Sequence, residues 1–425
     1  MFEKYDAYKD SGDKWIGKIP TDWFNERLGT ILEPISIKGN ADKDLLSITR
    51  EKGVILRDVE DDSENHNFIP DDLSNYKLIE KGQFGMNKMK AWQGSYGVSP
   101  YTGIVSPAYY IFRFIKPIYP DFFHWAIRSK TYISFFGSAS DGVRIGQWDL
   151  SKDRMKNIPF VFPDIDSQKK IVEFIRDKAE KIDQAIAIKE QQITLLNERK
   201  QIVIQKAVTQ GLDPNVPMKD SGVEWIGQIP EHWNVIRAKY LFKEVEERSV
   251  LGNEELLSVS HLTGVTPRSE KNVSMFMAED YSGSKVCKRH DLVMNIMWAW
   301  MGALGVSDYD GIVSPAYGVY RQKIANTFNS EYLEYLLKTT KYIEHYNRVS
   351  TGLHSSRLRF YGHMFFNMKL GFPCLDEQSE IIVRIKNQTS KIELAVENLA
   401  NQIEKLKEYK TTLINDAVTG KIKVA

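Results

Sequence analysis

Along two stretches of the chain the apolar positions recur at alternating spacings of four and three. Ile175, Ala179, Ile182, Ile186, Lys189, Ile193, Leu196, Lys200, Val203 and Ala207 form the first stripe. Raised by 210, these numbers give Ile385, Thr389, Ile392, Val396, Leu399, Ile403, Leu406, Lys410, Leu413 and Ala417, with Lys410 the only charge. This spacing is the seam of a coiled coil and predicts a helix from about Ser167 to Val208 and a second one 210 residues on. Such a helix, on the order of 60 Å long, is not stable on local propensity and needs a partner. Each stripe supplies one for the other, and antiparallel pairing gives the pair a pseudo-twofold axis.

The rest of the pattern is duplicated as well. Ser11-Gly12, Trp15-Ile16-Gly17, Ile19-Pro20 and Trp23 return as Ser221-Gly222, Trp225-Ile226-Gly227, Ile229-Pro230 and Trp233. Gly103-Ile104-Val105-Ser106-Pro107-Ala108-Tyr109 returns as Gly311 to Tyr317, and Ala207-Val208-Thr209 as Ala417-Val418-Thr419. Before each stripe, short apolar runs between Gly, Ser and Pro predict strands and turns, and residues 121–136 and 331–346 predict helices. The expected architecture is α+β, with two pseudo-symmetric domains separated by two long antiparallel coiled-coil helices. The boundaries are a first domain over 1–160, its helix over 161–215, a second domain over 216–370 and its helix over 371–425.

Composition narrows the class. With 42% apolar and 12% aromatic residues, both domains can build cores. Cys287 and Cys374 have no CxxC spacing, which points away from a disulfide framework or a zinc site. The leading residues lack a secretion pattern and no apolar run reaches about 18 residues, so a cytoplasmic protein without membrane insertion is expected. A formal charge of +1 counts against a nucleic-acid binder, yet residues 81–120 contain no acid and carry Lys81, Lys88, Lys90, Arg113 and Lys116. Residues 345–375 are likewise acid-free, with Arg348, Arg357, Arg359 and Lys369. These runs are either basic faces or buried strands.

Catalytic spacings are missing. The sequence holds no GxxxxGK[ST], HExxH, GxSxG or GxGxxG pattern. Asn157-Ile158-Pro159-Phe160 is the nearest approach to a base-holding methyltransferase loop, and its place before the long helix makes it a turn. Asp166 or Ser167 is expected to cap that helix. No metal ligands or catalytic residues are assigned.

Two segments in each copy combine polar and aromatic residues. Met86–Ser99 aligns with Met294–Ser307 at a shift of 208. Their Asn, Ala-Trp and Gly positions are shared, while Lys88, Lys90, Gln93 and Ser95 face Ile296, Trp298, Met301 and Ala303. Divergence inside a kept frame suits two readers of different sequences, because each base pair presents different donors and acceptors; neutral drift on a duplicated scaffold is the alternative. The second segment is Ser140–Trp148 against Ser350–Arg359, either a reading loop or a solvated one. The candidate DNA-binding residues are Lys88, Lys90, Trp92, Gln93, Ser95, Tyr96, Arg144 and Gln147 in the first copy. In the second they are Asn295, Trp298, Trp300, His354, Ser355, Ser356, Arg357 and Arg359. Ile182, Ile186, Ile193, Leu196, Val203, Ile392, Val396, Leu399, Ile403, Leu406 and Leu413 are the spacer residues. Leu195, Ile202 and Ile204, off the seam, are candidates for partner contact.

The SGxxWIGxIPxxW segment, the GIVSPAY run, the FPxxxxQ helix start (Phe162-Pro163 with Gln168, Phe372-Pro373 with Gln378) and the AVT ending, each present twice, resemble the specificity subunit of type I restriction-modification systems. The resemblance spans the chain; the first AVT continues as Gln210-Gly211 and the second as Gly420-Lys421. It implies two target recognition domains reading the halves of a bipartite double-stranded DNA target, with the helices as a ruler. It also implies two modification subunits that methylate adenine at N6 with S-adenosylmethionine, and restriction subunits that use ATP and magnesium, with no cofactor in this chain. Two other classes remain open: a self-contained DNA methyltransferase or nuclease, and a coiled-coil scaffold that does not bind DNA.

Overall fold

The computed structural model describes residues 2–57, 69–142, 148–270, 280–352 and 358–424. It divides into two compact units, Met1–Glu190 with Ala400–Ala425, and Gln191–Leu399. Two long helices, Ile165–Gln210 and Leu375–Val418, contribute to both. Among the described residues no helix is long and apolar enough to cross a membrane.

In the first unit a four-stranded antiparallel sheet has the order Leu32–Ile35, Tyr110–Phe114, Phe84–Met86, Tyr96–Val98. The second unit repeats it as Phe242–Glu244, Tyr317–Gln322, Leu292–Asn295, Leu304–Val306. The core of the first unit joins Trp23, Phe84, Phe122, Phe123, Tyr132 and Phe160 to Ile171, Val172 and Ile175 of the first long helix and Ala417 and Val418 of the second. The second unit's core joins Trp233, Tyr320 and Tyr332 to Ile204, Ala207 and Val208 and to Ile381, Ile382 and Ile385.

Within the first unit the long helices run antiparallel: Lys410 Nζ meets the Asp183 carboxylate at 2.6 Å and Lys189 Nζ donates to Gln402 Oε1 at 2.6 Å. In the second, Lys200 pairs with Glu393. The predicted stripe is the less exposed side. Ile182, Ile392, Ile403 and Leu413 are buried, and Ile186, Ile193, Leu196, Val203, Val396, Leu399 and Leu406 are half-buried, whereas Ile188, Leu195 and Ile202 are exposed. Ile204 belongs to the core rather than to a free face.

The duplicated motifs have local reasons. Gln168, 1% exposed, donates to Pro163 O at 2.9 Å and accepts from Tyr119 N at 2.8 Å, tying the helix start to its domain. Gln378 does the same with Pro373 O, Thr327 O and Asn329 N. A Cβ on Gly103 would lie 2.4 Å from Asp44 O, and one on Gly311 2.3 Å from Glu255 O, so only glycine allows these strands to approach.

Two further expectations are corrected. The cap of the first long helix is Asp164, whose carboxylate accepts from Asp166 N, Ser167 N and Ser167 Oγ; Asp166 and Ser167 lie inside the first turn. Residues 121–136 form two helices, Pro120–Ile127 and Lys130–Ser138, as do 331–346, which become Ser330–Leu337 and Thr340–Val349. The break is required by phase. At about 100° per residue, Phe122, Phe123, Ala126 and Ile127 occupy the side of a straight helix opposite to Tyr132, Phe135 and Phe136, yet all are buried. Extended Ser129 and Thr339 rotate the second helix so that both apolar faces meet the core.

Candidate nucleic-acid interface

Met86–Ser99 and Met294–Ser307 are hairpins of the main sheets, each closed by a 3-10 turn, Ala91–Gln93 and Ala299–Met301. The shared residues build this turn. Ala91 and Ala299 are fully buried, and Gly94 and Gly302 take φ of 93° and 83°, a left-handed conformation that favours glycine. Asn87 Oδ1 accepts from Met89 N and its amide reaches Tyr109 OH; Asn295 repeats both contacts with Met297 N and Tyr317 OH.

Three candidates belong to the interior and are corrected accordingly. Tyr96 is fully enclosed beside Phe84 and Phe136, and Ser95 is buried next to it. Asn295 is buried and spends its side chain on the turn. The Ser95 to Ala303 divergence is therefore a packing change. The other divergent positions reach the surface. Lys90 is exposed, Gln93 half-buried, and Trp298 and Met301 are 46% and 39% exposed. Trp298 stacks on Trp300 with centroids 5.9 Å apart, and Trp300 Nε1 donates to Met297 O, so the exposed ring stands on a fixed base.

Described residues flanking the second segment lie against the first in both units. Leu150 N donates to Lys88 O at 3.1 Å, Trp92 packs on Trp148 at 5.2 Å, and Lys88 Nζ meets Asp149 at 2.8 Å. Phe360 N donates to Ile296 O at 2.9 Å, and Thr351 and Arg359 exchange backbone hydrogen bonds. Arg144, Gln147, His354, Ser355, Ser356 and Arg357 fall outside the described residues. The described residues on either side of them, Asp141 with Asp149 and Thr351 with Arg359, are paired.

Electrostatics distinguish the copies. The Asp149 carboxylate, hydrogen-bonded to Lys88, raises that ammonium above the ordinary lysine range. Where the second unit has Glu334 accepting from Val306 N, the first has His124 Nδ1 accepting from Val98 N. Burial, assisted by Arg128, pushes His124 down to about 4, so it is a neutral acceptor. Arg128 donates to the carbonyls of Tyr96, Arg50 and Glu51, holding the Leu46–Leu56 hairpin tip beside this site. Arg113 and Lys116, in the acid-free run, pair with Glu33 and Glu26 from outside it, whereas Lys81 and Lys90 are exposed.

Two solved structures share the fold across nearly the whole chain. One, from work on the complex assembly and conformational transition of the type I R-M system, superposes with a TM-score of 0.64 at 15% identity, covering 94% of this chain and 98% of that one. The fold is that of type I specificity subunits. The HsdS subunit from Thermoanaerobacter tengcongensis superposes with a TM-score of 0.55 at 14% identity, covering 95% of this chain and 98% of its own. No protein-family model matches the sequence. At 15% and 14% identity these likenesses are of fold alone.

Proposed function

We propose that the chain is a non-catalytic DNA-recognition subunit of a type I restriction-modification complex, each unit reading one half of a bipartite duplex target. The observation that carries this reading is the joint made in both units, Leu150 to Lys88 and Phe360 to Ile296, which ties the residues that follow the second divergent segment to the first segment. A kept frame with altered exposed tips is what two different half-sequences require, since base pairs differ in the donors, acceptors and methyl groups they offer.

On this reading residues 1–160 and 216–370 are the recognition domains, and 161–215 and 371–425 the spacer helices that set the gap. Lys90, Trp92 and Gln93, with Arg144 and Gln147, face one half-site. Trp298, Trp300, His354, Ser355, Ser356, Arg357 and Arg359 face the other. Two modification subunits carry S-adenosylmethionine and methylate adenine at N6, holding the extruded base in their own site, and restriction subunits use ATP and magnesium. The lack of catalytic spacings in this chain supports that division of labour. Each wrong base pair costs about 1–3 kcal/mol.

Selection from randomised duplexes, with the chain bound to its modification subunits, tests the reading. Two sequence blocks with a fixed gap are expected, and Trp298→Ala relaxes only one. Retention of duplexes without any preferred block contradicts it.

A further inference from the structure

The two units differ in charge at one equivalent place beside the interface. In the first, lysines from three other parts of the chain gather about Lys77, next to Tyr109 and Tyr110. Lys77 Nζ donates to Tyr109 O at 2.7 Å, and Lys152 Nζ lies 4.3 Å from the centre of the Tyr110 ring. Lys88 follows Asn87, whose amide reaches Tyr109 OH. Lys38 is brought alongside by the hydrogen bond from Leu78 N to Ile37 O. Asp149, bound to Lys88, is the acid paired with this cluster in the described contacts. Burial together with Lys152, Lys38 and Lys88 pushes the Lys77 ammonium down, as expected for cations gathered without matching anions.

In the second unit the same place is neutralised. Lys285, the counterpart of Lys77, sits between Glu244 at 3.4 Å and Glu246 at 2.9 Å. Arg248, the counterpart of Lys38, pairs with Glu246. Ile296 replaces Lys88, and Gly362 replaces Lys152, with Glu244 beside it.

We infer that Lys38, Lys77, Lys88 and Lys152 form a phosphate clamp for duplex DNA that the second unit lacks, so that the two copies share reading but not grip. This rests on the DNA-recognition reading. Lys38 and Lys152 are exposed and half-buried Lys77 adds charge from behind, an arrangement that matches a row of phosphates rather than base edges. Exposed Trp298 and Met301 give the second unit an apolar tip instead, suited to base faces and thymine methyl groups.

The test is the salt dependence of duplex affinity for the complex with modification subunits. Log K falls with log salt, and each phosphate contact contributes about −0.9 to that slope. Lys38→Gln and Lys152→Gln, both surface changes, each make the slope shallower by about 0.9, and together by about 1.8, with the selected sequence unchanged. Arg248→Gln leaves the slope as it was, and Lys77→Arg retains it where Lys77→Gln does not. A steep wild-type slope that all the variants keep overturns the clamp alone, as does a loss confined to one sequence. A wild-type complex that binds no duplex at low salt overturns the recognition reading and the clamp together.

Discussion

Replacing Gln378 by Ala removes the joint between the second domain and its long helix. The side chain is fully buried and makes three hydrogen bonds, at 3.0 Å to Pro373 O, 3.0 Å to Thr327 O and 2.9 Å from Asn329 N. Each net bond contributes about 0.5–1.5 kcal/mol, and each buried partner left without one costs about 1–3 kcal/mol. Allowing for partial relaxation, a loss of about 3–5 kcal/mol is expected. Gln168 makes one such bond to Pro163 O and one from Tyr119 N, so Gln168→Ala loses less, about 2–3 kcal/mol. Urea denaturation gives the two losses, and faster amide exchange at Asn329 and Tyr119 localises them. Gln378→Leu, which refills the volume without the polar atoms, separates hydrogen bonding from cavity formation and loses nearly as much as Ala. If Gln378→Ala costs under about 1 kcal/mol, or Leu restores full stability, the anchoring role of the FPxxxxQ glutamine is refuted.

Other outcomes follow from the same structure. His124 is held down to about 4 in the folded chain against about 6.5 unfolded, so the unfolded state binds more protons between those values. Stability is complete above about pH 6.5 and falls towards pH 4 by on the order of 3 kcal/mol; His124→Gln, which still offers Val98 N an acceptor, flattens that limb, and an unchanged melting profile between pH 7 and 5 contradicts it. Antiparallel pairing means that a spacer deletion has to be matched on both helices. Removing Lys189–Leu195 with Asn398–Glu404 keeps the seam in phase, alters the preferred gap in a binding-site selection and preserves both half-sequences; an unaltered gap removes the ruler. Arg359→Ala changes preference only in the half-site assigned to the second domain, whereas equal loss on every duplex makes it a phosphate contact.

The long helices were legible because a seam is periodic and local, and its repetition at Ile392, Ile403 and Leu413 marked the same positions twice. The hairpin turns were legible through Ala91, Gly94 and their copies, since a buried Cβ and a left-handed glycine constrain sequence directly. Reading apolar content without phase joined Phe122–Ile127 to Tyr132–Phe136 as one helix, although a 100° projection separates them. Tyr96 and Ser95 looked like readers because they adjoin Trp92 and Gln93, but their strand lies between the sheet partner and the following helices. The Lys38, Lys77, Lys88 and Lys152 cluster had no linear signal at all: four elements meet there, and only pairing of Lys77–Ile79 with Gly103–Val105 sets Lys77 beside Tyr109.

If the divergent segments choose the half-site, the two copies are interchangeable scaffolds. Grafting residues 294–307 and 350–360 in place of 86–99 and 140–150 gives both units the second copy's segments. Methylated adenines can then be mapped in the genome of cells that carry this chain and its modification subunits. The bipartite target is expected to become an inverted repeat of one half with the gap retained; methylation that keeps the original two different halves contradicts the assignment.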